Sequence, residues 1–188
     1  MSVDPLAGEI LAFWFGPLPH ATRDVWFRKN PAFDAEIADR FGSAVKAALR
    51  GELREWIATP HGTLARVLLL DQFTRNIFRD TPRAFAGDAQ ALEMASTAVD
   101  GGLDRLLDRN ERWFLYMPFE HAENLAAQER SLTLFRTLTG DDPGELKWAE
   151  KHAAIIRRFG RFPHRNKILG RESTAEELAF LQEQGSRF

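Results

Sequence analysis

The chain has 188 residues, a formal net charge of −2 and 44% hydrophobic residues. A chain of this size and composition can bury a sizeable core, so we expect one globular domain over residues 1–188. The lack of cysteine excludes disulfides, thiol nucleophiles and cysteine-liganded metals. The N-terminal segment has only a short apolar run, and no stretch approaches the roughly 18 apolar residues of a membrane span. We therefore predict a soluble, cytoplasmic protein with no membrane partner.

Helix signals follow one another along the chain. Asp4-Pro5 and Thr59-Pro60 each place a capping side chain before a proline at the first helical position. No six-residue window alternates polar and apolar residues as a strand would. We predict an all-α fold, with helices over 5–15, 31–50, 61–79, 86–100, 110–117, 119–139, 144–159 and 173–184.

The predicted helices are joined by short turns. The segments "DTPRAF", "DGGLDR" and "TGDDPGE" are rich in Gly, Pro and Asp and are too brief to link domains. Ser173 with Glu176 matches a capping box before the last helix. Short turns favour antiparallel helical hairpins, and we expect these to stack rather than to form a simple bundle.

Two predicted helices carry a histidine on an apolar stripe. In helix 144–159 the stripe consists of Trp148, His152, Ile155 and Phe159. In helix 119–139 it consists of His121, Leu125, Gln128, Leu132 and Phe135. A histidine on such a stripe is usually a hydrogen-bonded core residue, and two in one small domain strengthen the alternative of a functional site without making it the more frequent case.

The predicted helix 61–79 is apolar around most of its circumference, which suggests a central helix. It nevertheless carries five polar residues that need partners if they are buried: Asp71, Gln72, Arg75, Asn76 and Arg79. Asp71 and Arg75 are spaced to form an ordinary pair within one helix. The alternative is that this helix contributes polar groups to a binding site.

The segment 157–171 contains six Lys or Arg residues and no acidic one, so the remaining residues sum to −8. Pro163 ends the preceding helix, and cations suit the last turn of that helix. Three residues are not explained in this way: Arg161, His164 and Arg165. They offer donors suited to a carboxylate or phosphate, although Arg165 or Arg171 can equally pair with an internal carboxylate such as that of Asp71, Glu120 or Glu123.

Three segments together resemble a known family: "LLLDQFTRNIFR", "MPFEHAE" and "FGRFPHRNKILGRESTAEELAFL". They look like the signature blocks of the uncharacterised bacterial family called domain of unknown function nine-two-four. The resemblance extends to "ILAFWFG" and "DVWFRKN" near the N-terminus and departs at Ala122, where the family often has Ser. It implies a tetratricopeptide-repeat-like right-handed superhelix and supplies no activity or catalytic residue.

The polar residues in these blocks suggest a single cleft between hairpins. We expect it to bind an anionic small molecule or a peptide carboxylate, with aromatic walls from Phe119, Trp148 and Phe162. The predicted catalytic candidates are His121 and His152. The predicted ligand-binding residues are Asp71, Arg75, Asn76, Arg79, Glu123, Arg161, His164 and Arg165.

Other functions stay open at this point. An enzyme, a hydrolase or lyase acting on an anion, would use His121 or His152 as general acid or base, oriented by Asp71 or Glu123. A metal site built on the histidines is disfavoured by their spacing and by nearby Arg charges, so we predict neither metal nor cofactor. Nucleic-acid binding is disfavoured because only one turn is basic. A protein-interaction scaffold with a purely structural polar cluster is the remaining alternative.

Overall fold

A computed structural model describes residues 3–140 and 144–186. These residues form helices and turns without any strand, which confirms the predicted all-α class. In chain order the described helices are α1 Pro5–Phe15, α2 Pro31–Leu49, α3 (Pro60–Val67, a π-helical turn Leu68–Phe73, and Thr74–Ile77), α4 Asp88–Asp100, α5 Arg109–His121, α6 Leu125–Thr139, α7 Leu146–Phe159 and α8 Ala175–Phe180. The tetratricopeptide-like superhelix stays a prediction.

The helix starts follow the capping signals of the sequence. The carboxylate of Asp4 accepts hydrogen bonds from the backbone N–H groups of Leu6 and Ala7, and the hydroxyl of Thr59 accepts one from Gly62. Both predicted cap-proline pairs are therefore confirmed. The last helix begins at Ala175, two residues later than predicted, because Thr174 and Glu177 form its capping box in place of the predicted Ser173 and Glu176.

The predicted helix 119–139 is wrong at its start. α5 runs on to His121, and α6 begins only at Leu125, where the side chain of Asn124 accepts the N–H of Ala127. An Asn side chain competes with helical backbone hydrogen bonds and so favours a cap at this position. His121 therefore belongs to the end of α5 and not to the stripe of α6. The predicted turn 139–145 includes residues 141–143, which lie outside the described residues.

The described residues divide into two compact units. The first comprises residues 3–79 and 83–118, and the second comprises residues 80–82 and 119–186, apart from 141–143. A single domain over 1–188 stays a prediction. None of the described helices is long and apolar enough to cross a membrane.

The first unit is organised around α3, which packs against α1, α2 and α4. Every residue of its π-helical turn Leu68–Phe73 is buried. The ring of Phe73 lies 5.4 Å from that of Trp14 and 5.5 Å from that of Phe41, so α3 meets an aromatic core. The expectation of a central helix agrees with this packing.

The second unit is built on the packing of α6 against α7. Its apolar cluster combines Ile155, Ile156 and the fully buried Phe162 with the partly buried Phe159 and Phe180. Trp148, predicted on the same stripe as His152, is instead 50% exposed, with the Lys151 ammonium 4.5 Å above its ring. The apolar stripe of α7 thus begins after Trp148.

Candidate functional site

The predicted polar residues of α3 lie in the first unit and contact its own carboxylates. Arg75 donates two hydrogen bonds to Asp88, at 2.9 and 3.0 Å, and its Nη1 lies 3.2 Å from Asp71 Oδ1. Asp71 is fully buried and also accepts a hydrogen bond from Gln72. The internal pairing of Arg75 ties α3 to α4.

Asn76 and Arg79 share one carboxylate on α2. The amide of Asn76 donates to Asp34 at 2.7 Å, and the guanidinium of Arg79 donates to the same carboxylate at 2.9 and 3.0 Å. These bonds tie α3 to α2. A ligand-binding role for these two residues, as for Asp71 and Arg75, stays a prediction.

The other six predicted site residues lie in the second unit, where Glu123 holds the turn after α7. Its carboxylate accepts two hydrogen bonds from Arg171, at 2.6 and 2.9 Å, and one from the Phe162 N–H at 2.8 Å. Burial opposes ionisation of Glu123, but these hydrogen bonds outweigh it and lower its pKa below the ordinary value. Glu123 is thus an anchor for the turn.

Arg161 is engaged in the same way by Glu177, through bonds of 2.7 and 2.9 Å. The hydrogen bond from Arg161 lowers the pKa of Glu177 to about 2, burial opposes it, and the backbone of Thr174 and the side chain of Asn166 add to it. The basic segment 157–171 is therefore largely neutralised. Its pairs with carboxylates are Arg157–Glu129, Arg158–Glu176, Arg161–Glu177 and Arg171–Glu123.

The three predicted histidines of the second unit are near one another. The ring centroids of His121 and His152 are 6.2 Å apart. The ring of Phe162 lies 5.4 Å from that of His152 and 5.7 Å from that of His164, and the Arg165 guanidinium lies 4.5 Å above it. Phe162, predicted as an aromatic wall, is the centre of this cluster.

His152 is oriented by the buried carboxylate of Glu120. Its Nδ1 lies 2.8 Å from Glu120 Oε1 and 2.8 Å from the carbonyl oxygen of Trp148, and Glu120 is only 3% exposed. Because Nδ1 faces two acceptors, it carries a hydrogen. The Glu120 carboxylate thus fixes the orientation of the His152 ring.

His164 is held in its neutral form. Burial lowers its pKa from 6.5 to about 4, and the charges of Arg165, His152 and Arg171 add to this while Glu123 opposes it. At neutral pH His164 therefore contributes a neutral polar ring rather than a positive charge.

A cavity of about 570 Å³ lies in the first unit. The described residues that line it include none of the predicted site residues of that unit. We call it the Arg66 cavity. The ends of α2 and α3, the helical turn Arg54–Ala58 and one face of α4 surround it. Its lining consists of Leu49, Arg50, Gly51, Arg54, Ile57, Thr63, Arg66, Gln90, Glu93, Met94, Thr97, Ala98 and Leu103.

Arg66 is the most deeply placed charge of this cavity, with 6% of its surface exposed. Its Nε–H is buried and has no hydrogen-bond acceptor within the described part of the chain. Burial lowers the pKa of the guanidinium, the positive charge of Arg54 lowers it further, and Glu55 opposes both. Elsewhere in the first unit, by contrast, Arg75 and Arg79 have carboxylate partners, in Asp88 and Asp34.

The other two arginines of the cavity differ in how they are engaged. Arg50 is neutralised by Glu52, with bonds of 2.7 and 3.0 Å. Arg54 uses its Nε–H on the carbonyl oxygen of Gly51, which leaves its two terminal nitrogens for other acceptors. Arg54 and Arg66 are therefore the cations that a ligand in the cavity would meet.

A group with metal-ligand chemistry lies at the start of α5. One ligand atom each from His20, Asp108 and Glu111 falls within 4.8 Å of the others. The two carboxylates already form a reciprocal capping box, each accepting the other residue's N–H at 2.9 Å, and His20 Nδ1 lies 2.6 Å from Asp108. A cation here would face the positive end of the helix dipole, so the geometry is that of a helix cap.

The sequence analysis named neither Arg66 nor Glu120 as a site residue. The sequence does contain a signal for Arg66, because this residue lies between Ala65 and Val67 on the predicted helix 61–79, which is apolar around most of its circumference. Such a position predicts burial for the arginine as much as for its neighbours. Glu120 gave no comparable signal, since its burial depends on His152, 32 residues later in the chain.

Comparisons with known proteins give a family and a similar solved structure, and neither description names an activity. The family model described as "Bacterial protein of unknown function (DUF924)" matches residues 10–185. A solved structure of a protein of unknown function from Agrobacterium tumefaciens is similar, with 45% sequence identity and a TM-score of 0.86 over 94% of this chain and 97% of that chain. None of the curated proteins matches.

Proposed function

Because the chain belongs to the bacterial family of unknown function DUF924, whose description names no activity, we propose its function from the Arg66 cavity: the protein binds an anionic small molecule there. The observation that carries this proposal is the buried Arg66 guanidinium, whose Nε–H lacks an acceptor among the described residues. An ionised group taken out of water is costly unless it is paired. An anion in the cavity supplies the missing partner.

The size and shape of the cavity support a small molecule rather than a peptide. Its volume of about 570 Å³ falls within the range typical of small-ligand sites. Arg66, Thr63 and Ala98 are buried and form its floor, while the exposed Arg54 and Ile57 stand at its rim. A ligand would therefore place its anionic group deepest and keep the rest of the molecule nearer solvent.

The proposal keeps the predicted ligand chemistry and changes its location. The turn 161–166 was expected to contribute to the anion site, but its Arg161, like the neighbouring Arg171, forms a bidentate pair with an internal carboxylate. Those pairs would have to break before a ligand could bind there. Arg66 requires no such exchange.

Calorimetric titration with sulfate and with acetate at fixed ionic strength tests the proposal. We expect saturable binding of at least one of these anions to the wild-type protein and its loss in Arg66→Met. Arg28→Met is the matched control, because Arg28 belongs to the same unit and is 77% exposed. Absence of saturable binding, or equal binding by wild type and Arg66→Met, would contradict the proposal.

A second candidate function, acid–base catalysis, is favoured by the contact between His152 Nδ1 and Glu120. A carboxylate on one ring nitrogen orients the imidazole, as it does in the histidine–carboxylate pairs that act as general bases. Hydrolase and lyase activities on anionic substrates should be screened with wild type, His152→Gln and His121→Gln. His61→Gln, at a half-exposed histidine of the first unit, is the control. Turnover retained in both of the first two variants would remove these histidines from the mechanism.

A further inference from the structure

The free positive charge of the Arg66 cavity comes from two arginines rather than three. Arg50 already has a bidentate carboxylate partner in Glu52. Arg54 offers its terminal nitrogens, and Arg66 offers a guanidinium whose Nε–H is unsatisfied among the described residues. A ligand therefore meets two guanidinium groups, the buried one of Arg66 and the exposed one of Arg54.

These two guanidinium groups repel each other. After burial itself, the charge of Arg54 is the strongest influence that lowers the pKa of Arg66. A singly charged anion would neutralise the charge of one guanidinium and would leave part of the repulsion. A dianion balances both positive charges. Phosphate also presents three terminal oxygens, which suit two forked donors approaching from different directions.

The rest of the cavity offers mainly acceptors. Gln90 donates its amide to the Leu49 carbonyl, so its own carbonyl oxygen remains as an acceptor. The Thr97 hydroxyl donates to the Glu93 carbonyl oxygen, and the exposed Glu93 side chain is a carboxylate. All three side chains lie on one face of α4, beside the apolar Met94. Acceptors in this number match a ligand with hydroxyl or amino groups.

We propose that the ligand of the Arg66 cavity is a phosphate monoester of a small hydroxylated or aminated compound. This inference rests on the anion-binding function proposed above. The phosphate lies between Arg66 and Arg54, and the hydroxyl or amino groups lie along α4 toward Gln90 and Glu93. Inorganic phosphate alone would leave most of the 570 Å³ unfilled, so an organic ester is the better fit.

Glycerol 3-phosphate and glycerate form a matched pair of probes, because they carry similar hydroxyl groups and differ in the charge and shape of the anionic end. We expect glycerol 3-phosphate to bind the wild-type protein at least about tenfold more tightly than glycerate. Its affinity should rise by several fold between pH 5 and pH 7, since a phosphate monoester gains its second charge near about pH 6. Arg66→Met and Arg54→Met should each lose this preference, and Arg28→Met should keep it.

The outcomes separate this inference from the proposed function. Equal affinity for the two probes, with no rise between pH 5 and pH 7, would overturn the phosphate assignment and leave anion binding intact. Absence of binding by any anion tested would overturn both. Binding of glycerol 3-phosphate that survives in Arg66→Met and Arg54→Met would place the anion elsewhere and would also overturn both.

Discussion

Replacement of Arg66 by Met should make the ligand-free protein more stable. Arg66 is 6% exposed, and its Nε–H has no acceptor in the described part of the chain. A buried donor left without a partner costs about 1–3 kcal/mol, and methionine removes it while a flexible unbranched chain still follows the path of the arginine stem. The repulsion from Arg54 disappears with the charge, as does the weaker attraction to Glu55.

The net effect is an increase of about 1–2 kcal/mol in the free energy of unfolding. This value lies in the lower part of the range for a buried unpaired donor because the cavity admits solvent. For a chain of this length each kcal/mol shifts Tm by about 2–4 °C, so Arg66→Met should melt about 2–8 °C higher than wild type. Urea denaturation and calorimetry, both in chloride buffer without oxyanions, measure the two quantities.

Two further variants make the comparison interpretable. Arg66→Ala removes the stem as well as the charge, so it should be less stable than Arg66→Met by the packing of the lost methylene groups. Arg28→Met, at an exposed position, should stay within about 0.5 kcal/mol of wild type. A fall in stability for Arg66→Met would refute the reasoning, because it would mean that the charged group stabilises the protein without a ligand.

Three other predictions concern the fold. Gly87→Ala should lower the free energy of unfolding by about 2–3 kcal/mol, because the added Cβ would lie 2.3 Å from the Leu70 carbonyl oxygen. Gly42→Ala on α2, where the added Cβ has nothing within 4 Å, should raise the free energy of unfolding by about 0.5–1 kcal/mol. Urea denaturation measures both changes. The contribution of His164 to stability is fully present above pH 6.5, and about 3 kcal/mol of the free energy of unfolding should be lost as the pH falls to about 4. Urea denaturation at a series of pH values should show this slope for wild type and not for His164→Gln. Glu177→Gln should lower the free energy of unfolding by about 2–3 kcal/mol at neutral pH, because a carboxylate with a pKa of about 2 stabilises the fold above pH 4.5. In acid denaturation the stabilities of wild type and variant should converge near pH 2. A difference that stays constant with pH would contradict this.

The helices were predictable from the sequence because their signals are local. The caps of Asp4 and Thr59 act on N–H groups two or three residues away, and the buried residues Ile37, Phe41 and Val45 recur at helical spacing within α2. The errors are local as well. The predicted helix 119–139 includes Asn124 although this residue caps α6, since a single Asn does not interrupt an apolar periodicity.

The sequence could name possible partners for the polar residues, such as Glu123 for Arg171, but could not choose among them, because the partners come from distant parts of the chain. Arg79 pairs with Asp34, 45 residues earlier, and Arg171 pairs with Glu123, 48 residues earlier. An arginine that is satisfied in this way and one that awaits a ligand look alike in a single sequence. The residue types were therefore foreseen, but their roles depend on tertiary contacts that no spacing rule supplies.

The density of positive charge along the chain is for the same reason a poor guide to an anion site. The segment 157–171 holds six cations, yet four of them form ion pairs with Glu123, Glu129, Glu176 and Glu177. The stretch around Arg66 holds one cation among apolar neighbours, and its Nε–H meets no acceptor in the described part of the chain. Burial makes a charge valuable to a ligand only where the protein has not already neutralised it, because an exchange of one carboxylate for another gains little. By that criterion the Arg66 cavity, and not the basic turn, is where an added anion gains most.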